Sequence, residues 1–371
     1  MNEDKAARYH RLRRRATVLS MVTGAAALVA VLASGWSAAL AAWSRAIAGG
    51  ASGGAAIGVA LYTSMLALAW ELLSFPLTFY DSFLLDRKYG LSSETFGTWT
   101  GDHLKALGVG FVLTIGAAVA VYGSISMWPG HWWIVDTGLF VAVAVVLSRV
   151  APIVLMPMFY RFTPLARESL RDRLLSLSTR AGVPVLGVFE WGLGEKTTRA
   201  NAALVGMGRT RRILVSDTLL KDYSDDEVEV ILAHELSHHV HRDMWSGLAI
   251  ETCVVGAALA AANVAIVLFG PAFGITGVSD AAGLPLLVLA GGVVSLLLTP
   301  LANGWSRRNE RRADRYALAL TGLSEPFISA MRRLGAQNLA EARPSKPVFW
   351  FFHTHPTIEE RIAAARSFPR P

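Results

Sequence analysis

Residues 281–314 read AAGLPLLVLAGGVVSLLLTPLANGWSRRNERRAD, and the change of character at Arg307 decides the class of fold. From Ala281 to Ser306 there is no Asp, Glu, Lys or Arg. That run exceeds the roughly 20 helical residues that cross a bilayer core at about 1.5 Å rise each. Directly after it come Arg307, Arg308, Glu310, Arg311, Arg312 and Asp314. A membrane span therefore runs straight into a charged segment.

Outward from that span, Ala16–Ser44, Ala46–Trp70, Ala106–Val135 and Cys253–Ser279 are equally free of those four residue types. A further stretch, Thr137–Tyr160, carries only Arg149, and Pro152 and Pro157 predict a bend where it leaves the membrane. Apolar residues make up 53% of the chain and the mean hydropathy is +0.41. The fold class expected is mainly α, a multi-pass transmembrane helical bundle of about six spans. The first run follows Arg11, Arg13, Arg14 and Arg15 but is too long for a signal peptide, and reads as a retained anchor. The one cysteine, Cys253, excludes an intrachain disulfide and dithiol redox chemistry.

Lys and Arg crowd residues 5–15, 87–105, 161–242 and 307–370, whereas the connections near 47–56, 127–133 and 270–278 have none. Positive side chains in short loops stay cytoplasmic, so both termini and every long polar segment are expected to face the cytoplasm from a cell (plasma or inner) membrane. The net charge of +7 follows from that bias, and no nucleic-acid-binding pattern accompanies it. Four regions result: 1–160, with about four spans and a polar loop near 81–105; 161–245, a cytoplasmic domain; 246–306, two more spans; and 307–371, which completes the domain. The partners expected are the lipid bilayer and a peptide or protein substrate.

Within the central block, Leu165, Leu170, Leu174, Leu175 and Leu177 predict a helix ended by Gly182–Pro184. β-type runs at 185–191, 200–205 and 212–216 predict a small sheet. Ser224-Asp225-Asp226-Glu227 has the spacing of a capping box and starts a helix bearing His234-Glu235-Leu236-Ser237-His238. Four residues apart on a helix, His234 and His238 share one face a turn apart, as two ligands of a tetrahedral zinc require. Zinc lowers the pKa of its water to about 7, and Glu235 beside it serves as general base and then as proton donor to the leaving amine. The chemistry indicated is peptide hydrolysis with one zinc ion per chain.

A third histidine six residues after His238 would mark one zincin subclass, but Met244 stands there. The alternative is a carboxylate from a second helix: Glu310, with Asp314 one turn on to accept a hydrogen bond from a ligating imidazole. Ion pairing with neighbouring arginines is the competing reading of both. His239 points off the ligand face and His241 lies nearly two turns from His234. Glu71, Asp136, Arg149 and Glu251 read as membrane-edge charges. Thr357 and Glu360 predict a helix start that presents His355 at its positive end.

These residues resemble the type I CAAX prenyl endopeptidases, family forty-eight of the metallopeptidases, and more distantly the bacterial protease HtpX. The resemblance extends over YDSFLLDRKYGLSSETF (Tyr80–Phe96), Ala151-Pro152, Phe162-Thr163-Pro164-Leu165 and Asp217-Thr218-Leu219-Leu220, and so over most of the chain from about residue 60. It implies a cytoplasm-facing zincin-like (gluzincin) α+β domain, Glu310 as third zinc ligand and Asp314 as its supporting carboxylate. It further implies Asn201-Ala202 as the edge that pairs with extended substrate, and His355 with Arg361 as the pair facing the oxyanion. Tyr89-Gly90 in place of His-Gly, and six spans in place of seven, leave the substrate open. An HtpX-like quality-control protease and a non-catalytic transporter or scaffold with a structural metal site are the competing expectations.

Overall fold

The computed structural model describes residues 2–49 and 54–369; the connection expected near 47–56 falls partly outside them. The chain begins with α1 (Asn2–Ala33), α2 (Trp36–Ala48) and α3 (Gly54–Phe79), which continues through a π-type stretch at Tyr80–Leu85 into α4 (Asp86–Lys88). Next come α5 (Phe96–Met127) and α6 (Trp132–Val150), the latter passing through a second π-type stretch, Ala151–Leu155, into α7 (Met156–Phe159). The central block holds β1 (Phe162–Pro164), α8 (Glu168–Arg180), β2 (Val188–Trp191), β3 (Ala202–Val205), β4 (Arg212–Ser216), α9 (Asp217–Asp222) and α10 (Asp225–Val240). Then follow α11 (Asp243–Phe269), α12 (Leu284–Thr321), α13 (Ser324–Gln337), α14 (Lys346–Phe352) and α15 (Ile358–Arg366).

Among the described residues six helical stretches are long and apolar enough to cross a membrane: Lys5–Ala33, Gly54–Lys88, Phe96–Met127, Trp132–Phe159, Asp243–Phe273 and Ala281–Thr321. They neighbour one another in a ring, α1 to α3, α5, α6, α11, α12 and back to α1. Inside the ring, Leu28, Leu66, Trp70, Val121 and Leu296 line an apolar cavity of about 930 Å³. Two boundaries differ from the hydropathy reading. The run Ala16–Ser44 is not one span: Gly35 turns left-handed at φ 74 and splits it into α1 and α2, while α1 reaches back through the basic cluster. Charge counting cannot see that break because no charge marks it. The run Ala106–Val135 likewise divides at the turn through Pro129 and Gly130. The expected bend near Pro152 coincides with the π-type stretch, where the missing proline N–H interrupts the regular ladder.

At one end of the ring the charged segments form a sheet and helix layer. The sheet runs β1-β2-β4-β3, with β2 and β4 parallel and the other pairs antiparallel, so β3 is an outer strand. The sequence reading missed β1, three residues that pair Phe162 with Trp191. Leu170, Leu174 and Leu177 of α8 pack with Ile213 and Val215 of β4 and with Val228, Leu232 and Leu236 of α10. The same core takes in Ala317 of α12 and Phe327 and Ile328 of α13, which locks the segment after the last span onto the motif helix.

The start of α10 is fixed as the sequence predicts. Ser224 Oγ accepts from Glu227 N–H at 3.3 Å, and Glu227 Oε2 accepts from Ser224 N–H at 2.8 Å. Removing the hydroxyl in Ser224→Ala leaves a helix-end donor without its cap and is expected to cost about 1 kcal/mol. A lower melting temperature with the same far-ultraviolet circular dichroism would show it; an unchanged melt would mean that the cap contributes nothing.

Candidate metal centre and substrate cleft

Two buried helices meet at the motif. His234 Nε2 of α10 lies 3.2 Å from Glu310 Oε2 of α12, and His238 Nε2 lies 3.5 Å from Glu310 Oε1. The two imidazoles are 5.0 Å apart at 86° to each other, so their inner nitrogens converge instead of stacking. One donor atom from each of His234, His238 and Glu310 falls within 4.8 Å of the other two. With His234 Nε2 unprotonated, as a metal ligand must be, buried Glu310 Oε2 has no hydrogen-bond donor, a costly state for a carboxylate oxygen unless a cation meets it.

Behind each imidazole stands a carboxylate backed by a guanidinium. His234 Nδ1 lies 2.9 Å from Asp314 Oδ1, and Asp314 accepts from Arg361 through both oxygens at 2.5 and 2.9 Å. His238 Nδ1 lies 2.9 Å from Asp243 Oδ2, whose other oxygen accepts from Arg312. Four carboxylates (Glu235, Asp243, Glu310, Asp314) thus meet two guanidiniums, a surplus of negative charge that a divalent cation offsets. Burial pushes the His234 imidazole down, but Asp314 and Glu310 outweigh it and carry it up to about 9. A cation binding at Nε2 must displace that proton. Burial also pushes the Glu235 carboxyl up, countered by the two histidines. Nitrogen and carboxylate donors of this number and convergence suit zinc.

Asp243 and Arg312 escaped the sequence reading. Asp243 follows the end of α10, where Arg242 adopts φ 57, so the helical periodicity that relates 234 to 238 does not extend to it. The signal available was its place as the first residue of a membrane span, where an acid is unusual.

His355 reaches the same point from the far side: its Nε2 lies 3.4 Å from Glu310 Oε1, and its Nδ1 lies 2.8 Å from Thr354 Oγ1. Thr357 caps α15 by accepting from Glu360 N–H at 3.2 Å. Arg361 lines the cleft but is committed to Asp314, with its outer nitrogen 3.3 Å from His234 Nδ1. Ala202 opens outer strand β3 and Asn201 directly precedes it, and both share a cleft of about 560 Å³ with His234, Glu235 and His355. His241 turns away, its Nδ1 3.0 Å from Ser237 Oγ and its ring against Tyr316, while His239 Nε2 lies 3.1 Å from the Leu204 carbonyl. Outside the centre, Glu71 pairs with His103 at 2.8 Å and Asp136 is buried.

Most of the chain is similar to known proteins. Residues 164–368 match "Peptidase family M48" and residues 2–161 match "CAAX prenyl protease N-terminal, five membrane helices". The chain is 29% identical over 308 residues to the uncharacterized metalloprotease YhfN of Bacillus subtilis, covering 82% of this chain and 72% of that one. It is 28% identical over 306 residues to the probable CAAX prenyl protease 1 of Schizosaccharomyces pombe, covering 81% and 64% respectively. The crystal structure of S. mikatae Ste24p superposes with a TM-score of 0.86 over 98% of this chain and 89% of the other, at 19% identity, which is a likeness of fold.

Proposed function

The chain belongs to peptidase family M48 and is a membrane metalloprotease, and we propose that it hydrolyses peptide bonds with one zinc ion held by His234, His238 and Glu310. The observation that carries this reading is the convergence of those three side chains on one point beside Glu235. When bound, zinc supplies a water of lowered pKa and polarises the scissile carbonyl. Glu235 takes the proton of the attacking water and returns it to the leaving amine. Asp314 and Asp243 accept from the Nδ1–H groups of His234 and His238, which keeps both Nε2 lone pairs free. Arg361 holds Asp314 in place. His355, less encumbered and half exposed, is the group that faces negative charge developing on the carbonyl oxygen. An extended substrate pairs with β3 at Asn201-Ala202.

The one-sided Lys and Arg distribution supports a cytoplasm-facing site and cytoplasmic termini in the cell membrane. Two of the relatives' descriptions support a prenylated peptide as the first substrate to try; a quality-control role gains nothing from them. The decisive experiment is one purification in detergent: zinc stoichiometry, then cleavage of a prenylated peptide and of an unfolded membrane protein, with and without chelator. Absence of zinc, or cleavage that survives full chelation, would sink the reading. The role given to Asp243 has its own test. Asp243→Ala is expected to weaken zinc binding about 10- to 100-fold in chelator competition, the usual cost of losing a partner that orients a ligand. An unchanged affinity would remove Asp243 from the site.

A further inference from the structure

The outer edge of β3 is nearly closed. Successive peptide groups of a strand point to opposite sides. Asn201 faces β4: its N–H donates to Ser216 Oγ at 3.0 Å and its carbonyl accepts from Ser216 N–H at 2.9 Å. The outward groups are therefore those of Ala200, Ala202 and Leu204. At Ala200 the side-chain amide of Asn338 takes the place of a neighbouring strand. Ala200 N–H donates to Asn338 Oδ1 at 3.2 Å, and Asn338 Nδ2 donates to the Ala200 carbonyl at 3.4 Å. Gln337 Nε2 covers the next outward carbonyl, Thr198, at 2.8 Å.

At the other end stands His239, which the motif chemistry does not use. Its Nε2 meets the Leu204 carbonyl at 3.1 Å, and since a carbonyl only accepts, that nitrogen carries the proton. Between these two caps no described side chain or loop bonds the Ala202 N–H, the Ala202 carbonyl or the Leu204 N–H, and Ala202 lines the cleft. Ala202 is only 6% exposed, so its outward groups need a partner as any buried peptide does.

We propose that Asn338 and His239 are specificity-determining residues that cut the substrate edge down to a single free carbonyl flanked by the Ala202 and Leu204 N–H groups, so that a peptide is held by a short β-bridge at Ala202 and not by a strand. This rests on the proposed role of β3 as the substrate edge. One acceptor takes one substrate N–H, whether the peptide runs parallel or antiparallel. Beyond it the peptide must leave the sheet within about one residue, roughly 3.4 Å, on the Ala200 side. The ligand class is an extended peptide read locally: a loop or chain end unfolded over a few residues suffices.

Amide-to-ester scanning tests this, since each ester replaces one N–H by oxygen. The probe is a short synthetic peptide of β-casein sequence spanning one mapped cut, its scissile amide retained, with the purified full-length protein. In the wild type one replacement is expected to raise KM about 3- to 10-fold, the net worth of one hydrogen bond. The N–H groups two residues to either side should be silent. Asn338→Ala frees the Ala200 carbonyl, and a second sensitive N–H should emerge two residues from the first with zinc content unchanged. Should Asn338→Ala not fold, Asn338→Asp keeps the acceptor for Ala200 N–H and frees the same carbonyl. A merely structural Asn338 would shift KM for all peptides alike. Two sensitive groups two residues apart in the wild type, or a pattern that neither variant alters, overturns the proposal. Failure of the wild type to cut any peptide would instead overturn the proposed function.

Discussion

Glu235→Gln is expected to abolish peptide cleavage, by at least about 10³-fold in kcat/KM, while the purified variant still binds one zinc ion per chain. Glutamine keeps the length and shape of the side chain, so the packing of α10 against α8 and α13 stays as it is. It cannot accept a proton, and the attacking water then has no base in reach. The other carboxylates do not substitute: Asp314 and Asp243 sit behind the imidazoles, each paired with an arginine, and Glu310 faces both Nε2 atoms. Burial and the countering histidines define an environment specific to position 235, which gives Glu235 a proton affinity that a surface glutamate lacks. The dissociation of the two readouts matters. Loss of both cleavage and zinc would make Glu235 a ligand or a folding residue; cleavage at the wild-type rate would leave a metal site without hydrolysis and revive the scaffold reading.

What the sequence disclosed depends on the range of the interaction. Ser224, Glu227, His234 and His238 are related by one helix, so spacing alone predicts the cap and the shared face, and both are present. Glu310 was within reach because two intervening spans return the chain to the end of the bundle where His234 lies. By contrast, Asn338 meets Ala200 from 138 positions away in the sequence, and nothing local at either marks the contact. Asp243 was hidden for another reason, since the helix that bears the motif stops at Val240, three positions before it. Gly35 splits a run that hydropathy reads as continuous, because a left-handed turn costs glycine little and leaves no trace in polarity. Long-range pairing and single-residue backbone choices are where a one-dimensional reading loses the thread.

These long-range contacts share an architectural logic. The carboxylate and guanidinium behind His238 are not confined to one region of the chain: Asp243 is the first residue of one span and Arg312 follows the apolar part of another. His10 of the first span lies 2.7 Å from the Leu339 carbonyl, next to the Asn338 that caps the substrate edge, and Arg14 pairs with Glu341. Metal geometry and substrate edge are thus both anchored on membrane helices, so the cleft cannot be assembled from the polar segments alone.

Glu310→Gln should separate metal binding from folding more sharply than any other substitution. The change removes one charged donor but keeps the volume, and zinc affinity is expected to fall by more than about 100-fold, since even partners one step removed from a metal are worth 10- to 100-fold. Without metal the variant should melt close to the wild type. It gives up the 3.2 Å approach of Glu310 Oε2 to His234 Nε2 and also removes the cost of burying a carboxylate charge, two changes that oppose each other. With metal the two should part. At a free zinc concentration about 1,000 times the wild-type Kd, binding adds about 4 kcal/mol to the wild type, whereas a 100-fold weaker site gains only about 1.4 kcal/mol. The parting of the two melting temperatures on adding zinc is therefore the signature of a ligand. A variant that lost stability equally with and without zinc would show Glu310 to be structural. One that kept wild-type affinity would pass the third ligand position to His355, whose Nε2 lies 3.4 Å from the same carboxylate.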